Sequence, residues 1–143
     1  INPSAGAPAP VDFPFQDYGQ LIAHAAQQRM GVIAIRVLAG GALSGAATRH
    51  PNATAEVQPI ASGRDFAEDV AYAERFRFLV DEGYASSLVE AAIRFVLSNP
   101  AVSTALVGIS DGDQLEQAAA AATRGPLPAE ALGMGRLVIT PPT

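Results

Sequence analysis

Two short apolar runs constrain this chain more than any other feature. Residues 32–38 read Val-Ile-Ala-Ile-Arg-Val-Leu, and a second run spans Thr104 to Ile109. The first is too short for a buried helix and rich in β-branched residues. Its continuous apolarity, rather than strict alternation, predicts a parallel strand covered on both faces. Two such strands cannot close a core, because a two-stranded sheet has two open edges. Four predicted helices alternate with them, the order of β/α units. The expected fold class is therefore α/β, with either the tail supplying a third strand or the missing strands supplied by another segment.

The helix boundaries come from local chemistry. Asp17 with Gln20 predicts a start for a first helix whose apolar side is Leu21, Ile22, Ala25 and Met30, ended by Gly31. A second is expected from Arg64 or Asp65 to about Glu82, capped by Ser62 or Asp65 and closed by Gly83. Ser87 and Glu90 form a capping box for a third helix running to Pro100, and Asp111 and Gln114 for an Ala-rich fourth, stopped by Gly125-Pro126. The first fourteen residues and the stretch from Ala46 to Ser62 read as loops. The tail from Leu127 predicts one short helical turn and then an apolar run from Leu137 to Ile139.

Composition removes several chemistries. The chain has no Cys, so no thiolate nucleophile, disulfide or Cys-bound zinc can form within it. All nine basic residues are Arg, which excludes a Schiff-base or phosphate-binding Lys. Two His cannot build a three-His metal site from one copy, and neither His24 nor His50 has a partner at ligand spacing. A formal charge of −5 without a dense basic stretch argues against nucleic acid or an anionic membrane as partner. No apolar run approaches the roughly 20 residues of a membrane span. A start at Ile1 rather than Met fits either a trimmed chain or the downstream part of a longer product.

The ordered segments resemble one family. GVIAIRVLAGGALSG from Gly31 is similar to the seventh strand and following turn of the aldo-keto reductases. AAIRFVLSNPAVSTALVGISDGDQLEQAAAA resembles that family's last helix pair with the eighth strand between, and GPLPAEAL its C-terminal helix start. INPSAG resembles the loop after strand six. The resemblance implies that residues 1–143 form the C-terminal portion of a (β/α)8 TIM barrel, incomplete in this chain. It implies a cytoplasmic oxidoreductase that reduces a small aldehyde or ketone with NADPH, NADH being possible. The family's catalytic Asp, Tyr, Lys and His belong to upstream strands, so no catalytic residue is expected here, and the partner required is the missing N-terminal barrel segment. A non-catalytic nucleotide-binding or regulatory subunit is the alternative.

Carried onto this sequence, the resemblance implies two cofactor-binding stretches. Leu38 to Ser44, with Gly40 and Gly41, would contact the diphosphate, since glycine lets backbone approach an anion. Gly108, Ser110 and Asp111 mark a strand end running into a helix N-terminus, where N–H groups favour phosphate. Gln114 matches a residue that is often Arg and grips a 2′-phosphate; Gln117 matches one that bonds adenine; Ala118 replaces a common Asn. Asp111 and Gln114 would serve equally well as helix caps alone. Ile35 stands where many members stack an aromatic on nicotinamide. Arg36 falls where a small polar residue is common, and its guanidinium needs an anion or carbonyl, either structural or at the mouth of the site.

Overall fold

A computed structural model describes residues 3–9, 11–13, 16–55 and 65–139. Its centre is a parallel pair of strands, β1 (Ile33–Ala34) and β2 (Thr104–Ala105), with Ile33 opposite Thr104 and Ala34 opposite Ala105. The Ser103 and Thr104 amides both donate to the Val32 carbonyl, and Leu106 N–H donates to that of Ala34. The two apolar runs are thus neighbours, as expected, but each is paired over fewer residues than predicted. Arg36 takes a left-handed φ of 55°, and the Ala39 amide turns back onto its carbonyl. That turn ends β1.

The strands are covered on one face only. Ala34 and Val37 are buried at 7% and 2% exposure, whereas Ile33, Ile35 and Leu106 stand at 63%, 60% and 62%. Burial on both faces is therefore not seen. Ile33, Ala34 and Ile35 alternate because successive strand residues point to opposite faces, Val37 lies beyond the left-handed Arg36 that breaks this alternation, and only one face has helices on it. On that face Ala34 and Val37 meet Ile93 and Val96 of α4 (Leu88–Leu97) and Ala121 of α5 (Gly112–Thr123). Each fully buried Val or Ile contributes about 1.5–3 kcal/mol relative to exposure.

Three caps follow the local reading. Asp65 accepts from Glu68 N–H at the start of α2 (Phe66–Ala73), Ser87 from Glu90 N–H on α4, and Asp111 from Gln114 N–H on α5. Ser62, the other cap considered for α2, lies outside the described residues. The single helix expected from 65 to 82 is divided: α2 passes through a 3-10 turn at Glu74–Phe76 into α3 (Phe78–Asp81). The tail is more helical than predicted, with α6 spanning Ala129–Ile139. Its Ala131 joins Leu79, Ala85, Ala91 and Leu127 in a second core cluster.

The first helix corrects the sequence reading. α1 begins at Leu21 and ends at Gln27, with Gln20 in the left-handed region and no side-chain cap. Asp17 instead accepts from Gly19 N–H. Buried Ser4 is the cause: its carbonyl takes the Gln20 N–H at 2.8 Å and its hydroxyl takes that of Tyr18 at 2.9 Å. A neighbouring loop thus supplies the acceptors. Of the predicted apolar side only Ile22 is buried, while Leu21 and Met30 are exposed.

An ion cluster forms around buried Glu90, with Arg94 largely covered and Arg124 exposed. Glu90 Oε1 lies 2.9 Å from Arg94 and 3.2 Å from Arg124, and its Oε2 accepts from the Ser86 hydroxyl and amide. Arg94 also donates to the carbonyls of Tyr84, Gly125 and Pro126. One guanidinium therefore joins the turn before α4 to the turn before α6. Burial pushes the Glu90 carboxyl up, yet the bonds from Ser86 and Arg94, with the Arg124 charge, outweigh it and hold the group below the usual carboxylate range.

Candidate functional site

The carboxyl ends of β1 and β2 open on the same side because the strands are parallel. After β1 the chain turns through Ala39–Ser44, with Ala39, Gly40 and Gly41 at φ of 49°, 67° and 102°. These left-handed values favour glycine, which carries no Cβ to clash. A Cβ on Gly41 would meet the Arg49 guanidinium at 3.8 Å and the Phe66 ring at 4.0 Å. Arg49 donates to the Gly40 carbonyl and stacks on Phe66, 4.2 Å from its centroid, so this cation braces the turn. Ser44 Oγ donates to the Gly41 carbonyl at 2.7 Å and accepts from Ala46 N–H, which fixes the last residue of the stretch.

After β2, Gly108 is exposed with open space around the position of a Cβ. Ser110 and Asp111 then lead into α5. Gln114 N–H donates to Asp111 Oδ1 at 2.8 Å, and Ser110 N–H donates to Gln114 Oε1 at 2.9 Å. Gln114 reaches past the N-cap to the amide before it, so both side chains face backbone donors. Gly112 and Asp113 keep the remaining first-turn amides. Gln117 is exposed one turn further along.

A contact not expected from the sequence joins these two halves. His50 Nε2 lies 3.0 Å from Asp111 Oδ2, and Asn52 Nδ2 donates to the Ser110 carbonyl at 3.3 Å. The Asn52 amide donates to His50 Nδ1 at 3.1 Å, which makes Nδ1 an acceptor and leaves the proton on Nε2, aimed at the carboxylate. The loop after β1 therefore straps across to the start of α5. The partner of His50 is thus a capping carboxylate far along the chain, and sequence spacing does not single out Asn52. His50-Pro51-Asn52 marks a turn in the sequence, but nothing in it names an acceptor on a distant helix.

The structure brings most of the predicted site residues to this end of the sheet. Ile35 is exposed on the uncovered face, and Leu38 lies half-buried beneath the glycine turn. Arg36 follows Ile35 directly and is exposed, with no ion pair or side-chain hydrogen bond among the described residues; a structural partner for it is not seen. No helix among the described residues is long and apolar enough to cross a membrane. An apolar groove of about 400 Å³ runs beside β2, lined by Ile93 and Leu97 of α4 and Leu115 and Ala118 of α5.

No curated protein matches this chain. The family model described as the aldo/keto reductase family matches residues 14–135, which takes in both strands, the glycine turn, the strap and the start of α5. The open parallel sheet is consistent with an incomplete barrel of the TIM type. By that match over most of its length, the chain belongs to the aldo/keto reductase family, a family of oxidoreductases.

Proposed function

We propose that this chain is the cofactor-binding, C-terminal portion of an NAD(P)H-dependent reductase of aldehydes or ketones. One observation carries the reading: a glycine turn and a helix N-terminus sit at the carboxyl ends of two adjacent parallel strands, bridged by a strap. Ligands of parallel β/α folds gather at that end, where loops and amide donors converge.

The residues fit a nicotinamide dinucleotide. Gly40 lets the backbone turn sharply where a diphosphate would approach, Gly41 being tied to Leu38 and Ser44, and Gly112 and Asp113 offer first-turn amides to a second anionic group. Ser44, tied to Gly41, holds the turn in shape, while Ile35 presents an aliphatic surface to a flat ring. When bound, the nicotinamide supplies a hydride to the carbonyl carbon. The residues of this chain orient the cofactor; the acid that protonates the carbonyl oxygen belongs to the upstream barrel segment. Among the described residues the start of α5 carries no cation. Asp111 and Gln114, both committed to capping, give a 2′-phosphate no positive charge to pair with, so NADH is accepted alongside NADPH.

The test is oxidation of NADH and NADPH, followed by absorbance, with aldehydes and ketones and the full-length protein. Reduction is expected with either cofactor, and none from residues 1–143 alone. Turnover by the isolated segment would place the acid within it and overturn the assignment.

A further inference from the structure

We infer that Arg36 is a substrate-recognition residue selecting carbonyl compounds that carry a carboxylate, an inference that rests on the reductase reading above. Arg36 stands at the carboxyl end of β1, next to Ile35, where the uncovered apolar face of the sheet meets the glycine turn. Its side chain is exposed and pairs with nothing among the described residues.

The other described arginines narrow the choice. Arg49 is held by the Gly40 carbonyl and the Phe66 ring, Arg75 lies over Tyr72, and Arg77 pairs with Glu74. Arg94 and Arg124 share Glu90. Arg29 makes no such contact either, but it precedes β1 and so belongs to the opposite end of the sheet. Arg36 is thus the one unpaired cation among the described residues at the carboxyl end.

The carboxylate that caps α5 at this mouth is also spoken for. Asp111 faces His50 through one oxygen and Gln114 N–H through the other. Arg36 is left as a planar donor set on the border of an apolar surface. A substrate bound beside the nicotinamide that covers Ile35 takes water from the guanidinium, which then requires an anion. A carboxylate supplies two acceptors in matching geometry. With a formal charge of −5, the chain as a whole does not draw anions in, so recognition has to be local. The reductase reading assigns the cofactor phosphates to the glycine turn and the first-turn amides of α5, which leaves this cation for the substrate.

The experiment compares the full-length protein with Arg36→Gln and Arg36→Lys. Reduction of 4-oxobutanoate is measured against butanal, and of glyceraldehyde 3-phosphate against glyceraldehyde. Calorimetric binding of unreactive succinate gives a readout independent of turnover. Arg36→Gln is expected to raise KM for 4-oxobutanoate about ten-fold or more, the loss of one charge-assisted contact, with kcat changed less than about two-fold and butanal unaffected. Arg36→Lys should restore part of the loss, and succinate binding should follow the same order.

Equal effects on 4-oxobutanoate and butanal would overturn the assignment while leaving the reductase reading intact. So would an Arg36 dependence confined to the phosphate pair. If no aldehyde is reduced, the reductase reading fails; succinate binding lost in Arg36→Gln would still support the carboxylate site. No succinate binding in that case would sink both.

Discussion

His50 Nε2 lies 3.0 Å from Asp111 Oδ2, and this contact ties the loop after β1 to the first turn of α5. It engages the same carboxylate that caps α5, so loop position and helix start are coupled through one side chain. Both groups are about one-third exposed, so the contact is worth little as bulk stability and acts instead as a local restraint.

His50→Ala is therefore expected to free the loop without unfolding the protein. Amide exchange over residues 46–55 should quicken several-fold, with global stability changed by about 0.5 kcal/mol or less. Asp111→Asn, which keeps an oxygen for the cap, should reproduce the loop effect alone. Exchange measured by mass spectrometry checks both, and unchanged protection in His50→Ala would show that the strap is held elsewhere.

Removing the cap has a different signature. Asp111→Ala loses the acceptor for Gln114 N–H and should cost about 1 kcal/mol of stability, read from urea midpoints. The loop should loosen as well, since His50 loses its partner in the same substitution.

Gln114→Arg is expected to shift nucleotide preference. A guanidinium at the start of α5 adds a charge-assisted donor for a 2′-phosphate, so the affinity ratio of NADPH to NADH should rise roughly ten-fold. Fluorescence titration of the full-length protein with each nucleotide reads the ratio. An unchanged ratio would mean that the adenosine end binds away from α5.

Acid should weaken the fold through Glu90. Its carboxyl is held below the usual carboxylate range, so the folded state binds that proton less readily than the unfolded chain. The stabilisation is fully present above the unfolded-state pKa and is lost as pH falls through the lower folded value. Glu90→Ala, which leaves Arg94 without its carboxylate, should cost about 3 kcal/mol and flatten this acid dependence. Urea unfolding from neutral pH downward checks the slope; an identical slope in the variant would assign it to other carboxylates.

Gly45→Ala tests how tightly the glycine turn is packed. Gly45 has φ of 74°, and an added Cβ would lie 3.1 Å from Glu74 Oε1 and 3.3 Å from Leu88 Cδ1. Left-handed strain plus these contacts should destabilise by about 1–2 kcal/mol, seen as a lower thermal midpoint.

The amino-acid sequence by itself determined the features that depend on residues three or four apart, and on apolar runs bounded by breakers. Asp65, Ser87 and Asp111 each cap the helix expected of them, because the acceptor and the orphan amide belong to the same turn. The alternation of helix and strand and the adjacency of the two runs could be read the same way, while the family was legible only through the resemblance of whole segments. Only the tertiary structure decided that Ser4 takes the amide Asp17 was expected to influence, and that Glu90 sits between Arg94 and Arg124. It alone set His50 and Asn52 against α5, with Asn52 and Ser110 separated by 58 positions. Such partners meet because packed elements bring them together, and no local periodicity encodes which. The open face of Ile33, Ile35 and Leu106 has the same origin: apolar residues mark a strand to be buried, while the helices actually packed on it determine which side is.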